Sequence, residues 1–185
     1  MKEPGDTITT PRLLLRLIDS EAAEAILAGD IQTAGQMMGV AINEDLLDYH
    51  NSFKYGQKQL EDDPLYSPWS ARAIILPDEK VMIGLIRFHN RPDPEYIYDY
   101  GKNAAEFGYS IFVNYRQRGY ATEAVKAMME WAVQAYGICR FLASVSPDNT
   151  ASLRLITKLG FNKVDEIMDD VDGMEHVFLR VIPNS

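Results

Sequence analysis

The sequence predicts an α/β fold of the α+β type: a mixed, mostly antiparallel sheet of about seven strands, with about four helices packed on its faces. Three observations predict it. Period-two runs such as RLLLRLI at 12–18 mark half-buried strands. A stripe at helical spacing, Val125, Met128, Met129, Ala132, Val133 and Tyr136, marks an amphipathic helix. Turn and cap residues divide the chain in the order β-α-α-β-β-β-α-β-α-β-β, with no repeat, low-complexity stretch or Gly/Ser-rich linker.

In the first strand Leu13, Leu15 and Leu17 share one face, and Arg12, Leu14 and Arg16 the other. Asp19 or Ser20 caps a helix over SEAAEAILAG, with Gly29 as its stop. A second helix runs from about Asn43 to Leu60, where Leu46, Tyr49, His50, Phe53 and Leu60 form one face; Pro64 and Pro68 break it. Trp69–Leu76 and Val81–His89 are joined by PDEK and read as an antiparallel hairpin. Residues 90–103, NRPDPEYIYDYGKN, form a long turn-rich loop of the kind often functional in compact domains. It mixes Tyr96, Tyr98 and Tyr100 with Asp93, Glu95 and Asp99. Ala104–Val113 is a strand, Thr122–Tyr136 a helix ended by Gly137, and Arg140–Val145 a strand. Pro147-Asp148-Asn149 opens a helix to Leu159 with Gly160 beyond it; strands at about Phe161–Met168 and Met174–Ile182 flank a turn at Asp170–Gly173.

A length of 185 residues with 46% hydrophobic side chains suits a single domain with a sizeable core. The net charge of −9 argues against a general nucleic-acid or anionic-membrane binder. The lone Cys139 excludes an internal disulfide framework and a multi-cysteine metal site, and reads as a small buried apolar residue. MKEPGDTITT has no apolar run of a signal peptide, and no stretch reaches the ~18 apolar residues of a membrane span, so a cytoplasmic protein is expected. His50, His89 and His176 lack metal spacing and read as surface or packed histidines; no metal is expected. Met37, Met38, Met128 and Met129 read as core or groove lining, and Trp69 as core or a neighbour of a substrate cleft.

Charge is unevenly distributed. Residues 101–160 carry seven bases and four acids, a net of +3, which leaves −12 for the rest. A polyanionic ligand favours the first segment and a cationic one the second. Within the first lies IFVNYRQRGYAT, residues 111–122: a strand end, a basic turn with one glycine, and a helix start. Helix starts leave N–H groups unpaired and favour anions. The amides of Gln117 through Thr122 can form a nest around a phosphate or pyrophosphate, with Gly119 and Ala121 keeping the approach small and Arg116 and Arg118 at the rim. Neither GxxxxGK[ST] nor GxGxxG occurs.

RQRGYATEA resembles the R/Q-x-x-G-x-G/A phosphate loop of the GNAT superfamily of acetyl-CoA-dependent N-acetyltransferases. TPRLLLRLIDSEAAEAILA resembles the opening of its RimJ/RimL-like branch, T-x-R-L-x-L-R before a helix. AEFGYSIFVNYRQRGYATEAV is similar to that branch's fourth strand, loop and third helix, and SPDNTASLRLITKLGF to its fifth-strand exit and following helix. The resemblance spans roughly 9–180 and implies one domain with a core of about 9–182. It implies a sheet splayed between strands four and five, with acetyl-CoA as cosubstrate. Main-chain groups of Ile111, Phe112 and Val113 would hold the acetyl-pantetheine arm; the amides of Arg118, Gly119, Tyr120, Ala121 and Thr122, beside Arg116 and Gln117, would hold the pyrophosphate. Asn149 and Ser152 match the branch's N-x-x-S and would face the pantetheine, with a helix N-cap as the other reading of Asn149.

The implied reaction is acetyl transfer to a primary amine, a protein N-terminal amine or a small cationic amine, by direct attack in a ternary complex. The amine must lose a proton, and Glu106 in AEFGY matches a glutamate proposed as general base; burial in an apolar strand would raise its pKa. An exposed or substrate-orienting carboxylate is its other reading. The tyrosine that protonates the departing thiolate in many relatives is replaced here by Ile156. Ser152, one turn earlier, is a substitute, and unassisted departure is the other route. A non-catalytic acyl-CoA-binding or regulatory protein is the competing reading, and both a monomer and a homodimer fit.

Overall fold

The computed structural model describes residues 7–93, 95–96, 98–169 and 173–183; most of the turn expected at 170–173 lies outside them, as do the first six residues. The chain divides into two units, Met1–Arg87 with Tyr109–Met128 and Phe88–Gly108 with Met129–Ser185.

In the first unit, β1 (Thr7–Thr9), β2 (Leu14–Leu17), β3 (Arg72–Leu76) and β4 (Val81–Phe88, whose last residue opens the second unit) pair antiparallel in chain order. Of the face expected in this run, Leu13 just ahead of β2 and Leu15 within it are fully buried, whereas Leu17 is only partly buried. Helices α1 (Ser20–Leu27) and α2 (Ile31–Met38) begin at Asp19 and Asp30, whose carboxylates accept from Ala22 N and Thr33 N. α3 (His50–Asp62) follows a 3-10 turn at Glu44–Tyr49. Ile18, Ala22, Ile26, Ala34, Met38, Leu46, Phe53, Ile75, Met82 and Phe112 form one apolar cluster that binds these helices to the strands.

In the second unit, the start of β5 (Ala104–Ile111) pairs parallel with β6 (Arg140–Val145), and β6 pairs antiparallel with β8 (Gly173–Val181), itself antiparallel to β7 (Asn162–Asp169). Two parallel strands need a crossover, which α4 (Tyr120–Tyr136) supplies. α5 (Thr150–Lys158) is capped by Asn149. Phe88 stacks on Trp131 and Phe141, and Phe107 meets Phe161 edge-on. Loop 90–103 is fastened at its end: Arg140 donates to the Tyr100 carbonyl and the Tyr100 hydroxyl to Asp165.

The fold class stands, with one strand and one α-helix more than expected. β1 is a three-residue polar edge, too short to show a pattern. The pattern does not announce α2, because IQTAGQMM carries Gly35 within it and Gly39 just after it around a narrow stripe; it buries Ala34, Gly35 and Met38 and leaves Met37 exposed. His50 is exposed rather than part of an apolar face. Trp69 is buried, as one reading had it, but ends a 3-10 turn instead of opening a strand. Cys139 is only partly buried, because the strand starts one residue later. No helix among the described residues is long and apolar enough to cross a membrane.

Candidate functional site

The loop between β5 and α4 belongs to the first unit. After a 3-10 turn at Val113–Tyr115, the chain passes through positive φ at Gln117 (62°) and Gly119 (81°) before α4 starts at Tyr120. Backbone conformation therefore favours glycine at 119. The first amide to find a helical acceptor is Glu123 N, on the Gly119 carbonyl. Among the described residues, none accepts from the six preceding amides, Gln117 to Thr122. Successive N–H groups about left-handed residues can converge on a common point, as they do in an anion nest.

Arginines hold this shape. Arg116 Nε donates to Ile111 O at 2.8 Å, and Arg118 to Asn114 O at 3.0 Å. Arg12, from the connection between β1 and β2, donates to Arg118 O at 3.1 Å. Its Nε and Nη2 both lie 2.7 Å from Glu123 Oε2, and its main-chain N donates to Oε1 at 2.9 Å. Thr10 Oγ1 also donates to that Oε1, at 2.6 Å. Burial pushes the Glu123 carboxyl up, but the Thr10 and Arg12 bonds outweigh it and hold it below its usual range. Upstream, the Ile111 carbonyl is taken by Arg116, Phe112 N by Ile83 O, and the Phe112 and Val113 carbonyls by Tyr115 N and Arg116 N.

The second unit holds Glu106. The β5–β6 ladder runs Ala104↔Arg140, Ala105↔Phe141 and Glu106↔Leu142, and among the described residues it ends there. Glu106 thus stands in its last pair. Ser144, two residues past Leu142 and on the same face, donates to Glu106 Oε1 at 2.7 Å. His89 Nδ1 lies 3.9 Å from the same oxygen, and its main-chain N donates to Glu106 O at 2.7 Å. A Cβ on Gly108 would collide with His89 Nε2, so glycine makes room for the imidazole. The Glu106 side chain is 22% exposed. The Tyr96 hydroxyl is pushed up by burial and then by the negative charge of Glu106, which places this tyrosine in the carboxylate's field. Tyr98 stacks on Tyr100 with ring centroids 5.3 Å apart.

Asn149 caps α5, its Oδ1 accepting from Ser152 N at 3.1 Å. Ile156, at the tyrosine position, is fully buried. The structure thus gathers Gln117–Thr122 into one loop, and separately pairs Asn149 with Ser152. Sequence reasoning missed Arg12 as a partner of the loop, and Ser144 and His89 as partners of Glu106. Ser144 left a faint signal, a hydroxyl in the apolar run RFLASV; His89 left none, since only strand pairing brings it to Glu106.

The family model for the acetyltransferase (GNAT) domain matches residues 12–162. The uncharacterised N-acetyltransferase YnaD of Bacillus subtilis is 28% identical over 156 residues, 84% of this chain and 82% of that protein. A structure of RimL, a ribosomal L7/L12 α-N-protein acetyltransferase in complex with coenzyme A, superposes with a TM-score of 0.65 at 18% identity, covering 95% of this chain and 98% of that one. A ribosomal-protein-S5-alanine acetyltransferase from Vibrio fischeri superposes with a TM-score of 0.63 at 17% identity, covering 95% and 96%.

Proposed function

The chain belongs to the GNAT family of N-acetyltransferases, and from that premise we propose that it carries acetyl from acetyl-CoA to a primary amine in a ternary complex, with Glu106 as general base. The observation that carries the cofactor half is the run of six open amides from Gln117 to Thr122, set by positive φ at Gln117 and Gly119. The fit to a pyrophosphate is good: the donors are consecutive, they precede a 17-residue helix, and three arginines lie within the loop or against it. Arg118 to Thr122 would hold the diphosphate, Val113 would offer its N–H to the pantetheine arm, and Asn149 and Ser152 would line that arm. Acetyl-CoA, when bound, supplies a thioester carbonyl that a neutral amine attacks.

On this reading Glu106 accepts the ammonium proton. Ser144 occupies Oε1, and no hydrogen bond from a described residue reaches Oε2, which is the oxygen left to face an acceptor. The surplus of acids outside 101–160, and the tyrosines of loop 90–103, favour a cationic acceptor. A protein α-amine is the acceptor named for RimL, and it supports the same choice here. One catalytic domain over about 9–182, working in a reducing compartment that suits the single free cysteine, completes the reading.

The buried Ile156 favours a second reading, a protein that binds acyl-CoA without turnover. Calorimetric titration with acetyl-CoA, then a panel of N-terminal peptides and small polyamines assayed for free thiol, separates the two. Turnover that falls about 10²–10⁴-fold in Glu106→Gln, with a changed pH–rate profile and little change in acetyl-CoA affinity, is the expected outcome. Binding without turnover on any amine selects the second reading, full activity in Glu106→Gln removes the base, and no binding removes both readings.

A further inference from the structure

We propose that Arg12 is the positioning residue of the anion loop: it neutralises Glu123 and pins the Arg118 carbonyl, so that a diphosphate meets open amides with no unpaired acid beside them. The inference rests on the reading of 116–122 as the phosphate site, and it assigns a task to a residue 111 positions from its partner in sequence.

Glu123 is the acid in the first turn of α4. For a bare helix this is a good place for a carboxylate, because it complements the dipole. For a helix whose start binds a polyanion it is a poor one, because a second negative charge sits within one turn of the ligand. Arg12 resolves the conflict. Its guanidinium takes Glu123 Oε2 with two nitrogens, and its main-chain N joins Thr10 Oγ1 on Oε1. Both carboxylate oxygens are thereby engaged by the segment Thr10–Arg12, Oε2 by the guanidinium and Oε1 by the main-chain N and the Thr10 hydroxyl.

The same guanidinium fixes the loop. Its remaining nitrogen donates to the Arg118 carbonyl, near the start of the open-amide run. A carbonyl tied back on one side keeps the flanking amides turned to the other. Nη2 also lies 3.4 Å from where a Cβ on Gly119 would stand, and the guanidinium carbon is 4.7 Å from the Tyr120 ring centroid. Arg12 therefore bonds Arg118 and Glu123, lies over the Tyr120 ring and borders the space beside Gly119.

The test compares coenzyme A with S-acetylpantetheine, which lacks the diphosphate, by calorimetry on the unaltered protein, Arg12→Ala, Glu123→Gln and the double variant. Arg12→Ala is expected to weaken coenzyme A binding by about 10–100-fold and to leave S-acetylpantetheine within about twofold. Adding Glu123→Gln should recover about a factor of ten, because the exposed carboxylate is gone while the carbonyl stays unpinned. Arg12→Lys, which keeps the charge but not the fork, should fall between. The inference is overturned if Arg12→Ala binds coenzyme A within about twofold of the unaltered protein, if both ligands weaken equally, or if the double variant binds no better than Arg12→Ala. An unaltered protein that binds no coenzyme A removes the phosphate reading itself, and is seen before any variant is made.

Discussion

Gly119→Val tests whether the backbone of the loop is what binds the cofactor. At φ 81° the position is left-handed, where a residue with a Cβ costs about 1–2 kcal/mol and a β-branched one is an outlier. Crowding in the free protein is not the obstacle, since the nearest atom to a Cβ is Arg12 Nη2 at 3.4 Å, an ordinary contact. The cost lies in the torsion, which a residue with a Cβ relieves by leaving the left-handed region. The loop should relax toward negative φ and turn the amides apart. Strain of 1–2 kcal/mol corresponds to a factor of about 5–30 in affinity, which Gly119→Ala should show. Valine adds two methyl groups at the nest and should exceed about 30-fold. The assay is titration with coenzyme A, with melting temperature followed in parallel. Coenzyme A affinity unchanged in Gly119→Val refutes the assignment, and a loss shared equally by S-acetylpantetheine moves the fault away from the diphosphate.

Two further outcomes are expected. Ser144→Ala removes a hydrogen bond to the Glu106 carboxylate and should lower kcat about tenfold while leaving the KM for acetyl-CoA unchanged, with Ser144→Thr restoring much of the loss; unchanged kcat would show that the bond does not orient the base. Because the Glu123 carboxyl is depressed in the folded chain, its contribution to stability is full above its ordinary value near pH 4.5 and is lost as pH falls through the depressed one. Thermal melts between neutral pH and about pH 3 should therefore fall less steeply for Glu123→Gln than for the unaltered protein, and parallel curves would show that Glu123 does not carry this pH dependence.

The loop was legible because its signals are local. A glycine, flanking arginines and a helix start all fall within RQRGYAT, and the open amides occupy the residues that composition pointed to. The strands and most helices were readable for the same reason, through period and caps. What escaped depends on pairing across long stretches of chain. Ser144 reaches Glu106 only because the ladder sets Glu106 against Leu142, and nothing in RFLASV or AEFGY states that register. In sequence His89 reads as a scattered histidine, although strand pairing seats it over Gly108. Arg12 read as the outer face of a strand and is instead the loop's fastening. In α2, Gly35 reads as a weak helix former, yet its missing side chain is what lets Val40 O approach, 2.8 Å from where a Cβ would lie.

Gln117 bears on speed rather than on strength of binding. It holds a left-handed conformation without being glycine, so the free protein already carries that torsional strain. A ligand arriving at a loop bent in advance does not wait for it to bend. Encounter and capture then become nearly the same event, and association should run close to the rate at which opposite charges diffuse together, slowing as salt screens them. Relaxing this residue with glycine would leave the amides in place but let the loop wander, so that the change would show first in the on-rate.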